Sequence, residues 1–263
     1  MASDYDSFDA YDYLRTRFGD ESVKDRVQFP LVKLYELFQS FPPRSGTVLE
    51  VGSGPVIQHG ISVAAFASEI VFSDISSSNR EAIQKWLDGD ADAFNWSPHF
   101  DYVVKTLEGK GEKEAREREQ RMRKISKVVF CDALSETPME KGYEGSYDVV
   151  LDMQCLDAVC AEKKDFIKCV RNLHSLLKPG GMFVRVATNA LSETRNQVLW
   201  SVGGKDYTCI RFTHEFVTSV LRESGFREVS ASWAPLDPNT TGHYHEMVKK
   251  TSDGYHFITA VKE

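Results

Sequence analysis

The chain has 263 residues, of which 41% are hydrophobic, and a formal net charge of −7 at pH 7. This length suits one α/β domain with a buried core, and an acidic chain without a long apolar run disfavours nucleic-acid and membrane partners. The five cysteines lack a C-x-x-C spacing and are interpreted as reduced thiols, and the acidic N-terminus lacks a signal-peptide pattern. We therefore expect a cytoplasmic monomer that acts on a small molecule.

The N-terminal segment precedes the first predicted strand. Aromatic residues recur between positions 8 and 18, and residues 27 to 41 have apolar side chains at helical spacing. We interpret this N-terminal part of the chain as a head that precedes the α/β fold.

A glycine turn follows the first predicted strand, at residues 47–51. The strand carries Glu50 near its end and leads into Gly52, Ser53 and Gly54. Because glycine allows a tight turn and a close approach of a ligand, the turn predicts a nucleotide-like ligand. A plain strand-to-helix connection is the alternative. Ile57 stands where a dinucleotide fingerprint has its third glycine, which argues against a nicotinamide or flavin cofactor.

The rest of the chain alternates between strands and helices. Helices are predicted at residues 56–66, 81–87 and 166–177, and strands at 70–74, 127–130, 147–151 and 182–187. This alternation implies right-handed crossovers and a mainly parallel sheet. A hairpin at 198–210, a helix at 213–224 and strands at 228–233 and 255–261 follow, with Trp233 and Phe257 in the predicted core. The highly charged residues 111–127 predict a solvated surface helix.

Carboxylates follow several of these strands. Asp74 ends the second strand, where it can accept hydrogen bonds from ribose hydroxyls, and Asp132 follows the third, where it can accept from an adenine amino group. Residues 152–157 follow the fourth. A helix N-cap is the alternative for Asp74, although Ser76 and its neighbours would cap equally well, and a simple turn is the alternative for Asp132.

Several motifs resemble one family. They are Lys85-Trp86-Leu87, Trp96-Ser97-Pro98, Leu107-Glu108-Gly109, Cys155-Leu156-Asp157-Ala158, Arg171-Asn172-Leu173 and Leu176-Leu177-Lys178-Pro179-Gly180-Gly181. Together they are similar to the nicotinamide, phenylethanolamine and indolethylamine N-methyltransferases, a family that includes a thioether S-methyltransferase, and the nicotinamide members stand nearest by eye. The resemblance covers residues 8 to 187. It implies a class I S-adenosylmethionine-dependent methyltransferase, α/β and Rossmann-like, with a mostly parallel seven-stranded sheet, helices on both faces and an N-terminal helical lid.

The resemblance also implies a division of the single domain and a set of cofactor residues. Residues 1–45 would form the lid and first helices, 46–187 the cofactor-binding core, and 188–263 the substrate-binding and sheet-closing segment. The residues implied for S-adenosylmethionine are Tyr13, Phe18, Gly52, Ser53, Gly54, Gln58, Asp74, Asn79, Asp132, Ala133 and Met153. Phe18 and Gln58 replace tyrosines of the family, and Met153 replaces a threonine, so some hydrogen bonds to the methionine moiety would be lost.

The acceptor side is implied by residues beyond the fifth strand. Glu193 matches an amine-contacting carboxylate of the phenylethanolamine-type enzymes and is the predicted catalytic residue, with a surface glutamate as the alternative. Asn189, Tyr207 and Tyr244 are further predicted substrate contacts. We expect methyl transfer to a small pyridine or amine and no metal site, since two histidines around Tyr244 lack a third ligand. A thioether S-methyltransferase and a noncatalytic S-adenosylmethionine-binding protein are the alternatives.

Overall fold

The computed structural model describes residues 5, 7–19, 25–42, 45–192, 196–236 and 252–263. These residues divide into two compact units, a first unit of Tyr5–Phe130 and a second unit that contains Cys131–Glu263. No helix in these ranges is both long and apolar enough to cross a membrane.

The first unit is a parallel sheet covered by helices. Its elements are α1 (Ala10–Phe18), α2 (Asp25–Phe38), β1 (Gly46–Val51), α3 (Gly60–Phe66), β2 (Ala67–Asp74), α4 (Ser77–Asp88), α5 (Ser97–Phe100), a π-helix (Asp101–Leu107), α6 (Glu112–Ile125) and β3 (Ser126–Phe130). The strands lie in the order β3-β2-β1, and both pairs are parallel. Four of the six residues of β1, from Val48 to Val51, are buried in succession, as expected of a strand covered on both faces.

The second unit mixes parallel and antiparallel pairs. Its elements are β4 (Tyr147–Met153), α7 (Cys155–Val159), α8 (Lys163–Leu176), β5 (Leu177–Ala190), β6 (Gln197–Val202), β7 (Lys205–Ile210), α9 (His214–Glu223), β8 (Phe226–Pro235) and β9 (Ser252–Lys262). The order is β4-β5-β9-β8, with β4 and β5 parallel and β9 antiparallel to both of its neighbours. Strands β6 and β7 form the predicted hairpin around Gly203 and Gly204.

Every helix and strand predicted from the sequence is present, with shifted ends. The helix predicted from residue 56 begins at Gly60, because the preceding residues form turns in which Gly60 N donates to Ile57 O at 3.0 Å. Strand β5 begins at Leu177 rather than at Met182. The division of the chain into one domain with three segments stays a prediction.

Two predictions about packing are corrected. The sequence predicts Trp233 in the core, but its side chain is 55% exposed, because it lies on β8, which has a single neighbouring strand in the order of the second unit. Phe257, on the interior strand β9, is buried as predicted. Helix α6 has the expected solvated face, but its inner face is buried at Ala115, Arg118 and Met122.

Candidate functional site

The glycine turn after β1 has the backbone that only glycine adopts easily. Gly52 and Gly54 have φ of 58° and 63°, in the left-handed region. A Cβ atom added to Gly54 would meet no atom within 4 Å, so the turn faces open space. Ser53 holds the turn to β2, because its N–H donates to Ser73 O at 2.8 Å. The turn therefore offers an accessible backbone surface.

Asp74 closes this turn from the end of β2. Its Oδ2 accepts from Gly54 N at 2.8 Å, and its Oδ1 accepts from Ser76 N at 2.8 Å and from Asn79 Nδ2 at 3.1 Å. Burial raises the pKa of the Asp74 carboxyl above its usual value, even though these hydrogen bonds lower it. Ser76 is the N-cap of α4, so the alternative role of Asp74 as the helix cap is excluded.

Three buried oxygen atoms around the turn have no hydrogen-bond partner among the described residues: Glu50 Oε2, Gln58 Oε1 and Asn79 Oδ1. The other carboxylate oxygen of Glu50 lies 2.7 Å from His59 Nδ1, a contact between two buried side chains. Buried polar atoms are nearly always paired, so unpaired acceptors here indicate a ligand that donates hydrogen bonds. His59 was missed by the sequence analysis, since a lone histidine before a helix carries no signal.

The predicted N-terminal contacts are aromatic. The ring of Tyr13 lies 5.5 Å from Phe8 and 5.8 Å from Phe18, and the ring of Phe18 lies 5.6 Å from Trp96. Tyr13 and Phe18 are both half-buried. Helix α1 thus packs through its aromatic side chains within the first unit, while a lid role stays a prediction.

The second unit carries the remaining predicted cofactor residues. Asp132 forms a turn in which its Oδ1 accepts from Leu134 N at 2.9 Å. The carbonyl of Ala133 accepts from Asn172 Nδ2 at 2.8 Å, which fixes this turn against α8. Met153 ends β4 and is half-buried, and the next residue, Gln154, has a φ of 72°. The backbone therefore turns sharply at the carboxyl end of β4.

The residues predicted to contact the methyl acceptor differ in their surroundings. Asn189 bridges two elements, because its Nδ2 donates to Asp253 Oδ1 at 3.0 Å and its Oδ1 accepts from His214 N at 2.9 Å. Tyr207 is buried, with its ring 5.2 Å from that of Trp200 in the hairpin. Glu193 and Tyr244 lie outside the described residues. Asn189 therefore already uses both polar atoms of its amide within the protein.

A buried charged cluster in the second unit was largely missed by the sequence analysis. Arg185 on β5 is fully buried and ion-paired with both Asp152 and Asp157, and Arg211 lies 4.0 Å from Asp157. His256 on β9 is also fully buried. The sequence predicts residues 152–157 at a ligand site, but the pattern does not indicate the two arginines. Arg185 stands within β5 and Arg211 just after β7, and the sequence does not show which residues they contact.

The charges of this cluster follow from its contacts. Burial lowers the pKa of Arg185, but the attraction of Asp152 and Asp157 outweighs it and raises that pKa above its usual value, so Arg185 stays charged. Burial, helped by nearby positive charges that include Arg185 and Arg211, holds the pKa of His256 well below its usual value. His256 is therefore neutral and can both donate and accept one hydrogen bond.

Comparisons of sequence agree with the predicted family. The profile of the NNMT/PNMT/TEMT family matches residues 1–262. The chain is 30% identical to nicotinamide N-methyltransferase of Sus scrofa, over 96% of this chain and 99% of the relative. It is 28% identical to indolethylamine N-methyltransferase of Oryctolagus cuniculus, over 85% of this chain and 88% of the relative. It is also 28% identical to phenylethanolamine N-methyltransferase of Homo sapiens, over 86% and 80% respectively.

Solved structures share the fold. One is a 1,6-didemethyltoxoflavin-N1-methyltransferase of Burkholderia thailandensis with bound S-adenosylhomocysteine, which has a TM-score of 0.56, 18% identity, and coverage of 99% of this chain and 86% of that chain. Another is a DhpI-SAM-HEP complex, with a TM-score of 0.59, 16% identity, and coverage of 98% and 94%. The predicted class I methyltransferase fold, with its mostly parallel seven-stranded sheet and flanking helices, is confirmed.

Proposed function

Since the chain belongs to the NNMT/PNMT/TEMT family, we propose that it is an S-adenosylmethionine-dependent methyltransferase that methylates the nitrogen of a small pyridine or amine. Relatives named for nicotinamide, indolethylamine and phenylethanolamine support this acceptor class. The observation that carries the proposal is the group of unpaired acceptor oxygens around the glycine turn.

The chemistry of these oxygens fits S-adenosylmethionine. Its ribose hydroxyls and its methionine ammonium are hydrogen-bond donors, and Glu50, Gln58, Asp74 and Asn79 present acceptors. We assign Asp74 and Asn79 to the ribose, and Gln58 to the methionine end. Gly52, Ser53 and Gly54 form the turn against which the cofactor lies. The other predicted residues keep the roles that the family resemblance gives them, namely Tyr13, Phe18, Asp132, Ala133 and Met153.

The residues of the chain must orient the acceptor. S-adenosylmethionine supplies a methyl group activated by a sulfonium, so no nucleophilic side chain is needed. The protein contributes by holding the acceptor nitrogen in line at near-attack distance and by excluding water. A pyridine nitrogen already has a free lone pair, whereas an ammonium must first lose a proton, a role that we assign to Glu193. We assign the walls of the acceptor site to Asn189, Tyr207 and Tyr244.

A methyl-transfer assay with labelled S-adenosylmethionine tests the function. The panel contains nicotinamide, quinoline, tryptamine, phenylethanolamine and a dialkyl sulfide. We expect at least one nitrogen acceptor to be methylated. Methylation of the sulfide alone would contradict the proposal in favour of a thioether S-methyltransferase, and cofactor binding without any turnover would indicate a noncatalytic protein.

Glu193→Gln tests the proton acceptor within the same assay. The variant keeps the size of the side chain and removes its charge, so kcat/KM for tryptamine or phenylethanolamine should fall by roughly 10²-fold, with little change for nicotinamide. Equal losses for both kinds of acceptor would indicate a structural role for Glu193.

We also propose that the protein works in the cytoplasm as a monomer, without nucleic-acid or membrane partners. The negative net charge and the five cysteines without a disulfide support this proposal. A sedimentation measurement of the purified chain would test the monomer.

A further inference from the structure

Arg211 is a buried arginine whose Nε has no hydrogen-bond partner among the residues that the structure describes. Its side chain is 4% exposed, and its Nη1 lies 4.0 Å from Asp157 Oδ2, beyond hydrogen-bonding distance. A guanidinium has five N–H donors, and burying them without acceptors is costly. The position therefore calls for an acceptor-rich partner.

The buried aspartates nearby do not supply that partner. Arg185, which is fully buried, holds Asp152 with one terminal nitrogen and Asp157 with the other. The second oxygen of Asp152 accepts from Leu156 N at 3.1 Å. Arg185 binds Oδ1 of Asp157, and Arg211 is ion-paired at 4.0 Å with Oδ2 of the same carboxylate, which has no hydrogen-bond partner among the described residues. Asp157 thus balances part of the charge of Arg211 without accepting a hydrogen bond from it.

His256 adds further unpaired atoms on the same face of the sheet. It lies opposite Ala187 on β5, two residues beyond Arg185, and directly paired residues of antiparallel strands point to one face. Neither ring nitrogen of His256 has a partner within the described ranges, and the same holds for Nε of Arg185. Since Arg185, Arg211 and His256 each keep an unpaired buried nitrogen, they indicate a ligand with several hydrogen-bond acceptors.

We propose that the methyl acceptor carries a carboxylate beside its nucleophilic nitrogen, and that Arg211 binds this carboxylate with His256 as a neighbouring donor. The inference rests on the proposed function and specifies its substrate class. The planar fork of an arginine matches the two oxygens of a carboxylate. The charges of the cluster also favour a carboxylate over a phosphate dianion. Its two arginines and two aspartates already balance, so a dianion would bury more uncompensated negative charge than a carboxylate would.

The position of Arg211 agrees with an acceptor site. It directly follows the β6–β7 hairpin, and its N–H donates to Asn196 O at 2.6 Å, so the backbone is fixed at this point. Asp152 and Arg185 lie opposite each other near the carboxyl ends of the parallel strands β4 and β5, where open α/β sheets bind their ligands.

Matched pairs of acceptors test the proposal. Nicotinate and nicotinamide share the pyridine nitrogen and differ in the charge of the substituent, and tryptophan differs from tryptamine by its carboxylate. We expect the wild-type protein to have a kcat/KM at least about 10-fold higher for the carboxylate member of a pair. Arg211→Met should lower the ratio of carboxylate to neutral acceptor by roughly 10²-fold, the scale for removing one partner of a buried charge pair. Arg211→Lys keeps the charge but loses the planar guanidinium, so its ratio should lie between those of the wild type and Arg211→Met.

Arg227→Met is the control variant. Arg227 is 54% exposed and lies 3.4 Å from Glu228 on the same strand, so its loss should leave the ratio unchanged. Calorimetric titration of nicotinate into the wild-type protein with S-adenosylhomocysteine gives a readout without turnover, and nicotinate should bind more tightly than nicotinamide. If Arg211→Met does not fold, this titration and the wild-type ratios of kcat/KM still test whether the protein prefers acceptors with a carboxylate.

The outcomes separate the inference from the proposed function. Methylation of nicotinamide or tryptamine with neither carboxylate turned over nor nicotinate bound overturns the inference and leaves the proposed function intact. Failure of all nitrogen acceptors overturns the proposed function, and the calorimetric comparison then decides whether Arg211 binds a carboxylate. An unchanged ratio in a folded Arg211→Met also overturns the inference.

Discussion

Asp74 already accepts three hydrogen bonds from the protein, given by Gly54, Ser76 and Asn79. A carboxylate has about four acceptor positions, so roughly one remains for a ligand hydroxyl. The sequence placed Asp74 at a ribose site because it ends the second strand. It did not indicate that the same carboxylate also holds the glycine turn and the start of α4, since these bonds depend on the folded backbone.

Replacing Asp74 should therefore weaken the binding of the cofactor and also destabilise the glycine turn. We expect Asp74→Ala to reduce the affinity for S-adenosylmethionine by about 1.5 to 3 kcal/mol, the scale of one hydrogen bond to a charged group. Asp88→Ala, at the exposed end of α4, is the matched control and should bind normally. Calorimetry measures both, and unchanged affinity in Asp74→Ala would refute the ribose assignment.

The raised pKa of Asp74 predicts a pH dependence of stability in the ligand-free protein. Because the folded state holds this proton more tightly than the unfolded state, the stabilisation is fully present below the unfolded pKa of about 3.8 and is lost as pH rises through the folded pKa. The melting temperature of the wild type should thus fall relative to that of Asp74→Asn as pH increases from about 4. Parallel curves for the two proteins would contradict this linkage.

At the scale of elements, α6 stabilises α3 through two arginines, the buried Arg118 and the half-buried Arg121. Arg118 donates to Ile61 O at 3.0 Å and to both carboxylate oxygens of Glu108 at 2.9 Å. Arg121 donates to Ala64 O at 2.8 Å and to Ala67 O at 2.6 Å. Ile61 and Ala64 lie in α3, and Ala67 directly follows it. Ala64 is among the last four residues of the helix, whose carbonyls have no partner within it. The charged sequence of α6 predicts a surface helix, and it does not indicate that two of its arginines also bond to carbonyls of α3 and of the residue after it.

Loss of Arg118 should destabilise the fold. Arg118→Met removes both hydrogen bonds to Glu108, which keeps only the more exposed Lys110, and the bond to Ile61 O, so unfolding should require about 3 kcal/mol less free energy. Arg116→Met removes an exposed arginine four residues from Glu112 on the same helix and should leave the denaturation midpoint unchanged. Urea denaturation compares the two variants, and equal midpoints would show that the buried pair contributes little.

At the scale of the whole molecule, α1 of the N-terminal segment packs on other parts of the first unit through side chains. Ala10 N lies 3.4 Å from Ser78 Oγ, and the remaining contacts include the aromatic rings of Tyr13, Phe18 and Trp96. The strands of the sheet do not include this segment. Its removal is therefore expected to leave the sheet folded.

Deleting residues 1–20 tests the lid. If the segment covers the reacting methyl group and excludes water, turnover should be abolished while the circular dichroism spectrum keeps the signal of a folded α/β protein. Arg15→Ala, which changes a side chain that is 75% exposed and pairs with Asp12 of the same helix, is the control and should stay active. Full activity of the truncated protein would exclude a lid.

The sequence by itself determined the order of strands and helices, the glycine turn and the family, because hydrophobic periodicity, glycines and motifs are local features. Only the tertiary structure decided which polar atoms are paired. It showed that Asn189 is bonded within the protein, that the side chain of Trp233 is exposed, and that Nε of the buried Arg211 has no hydrogen-bond partner among the described residues. Burial and pairing depend on residues far apart in the chain, and a one-dimensional pattern does not contain those distances.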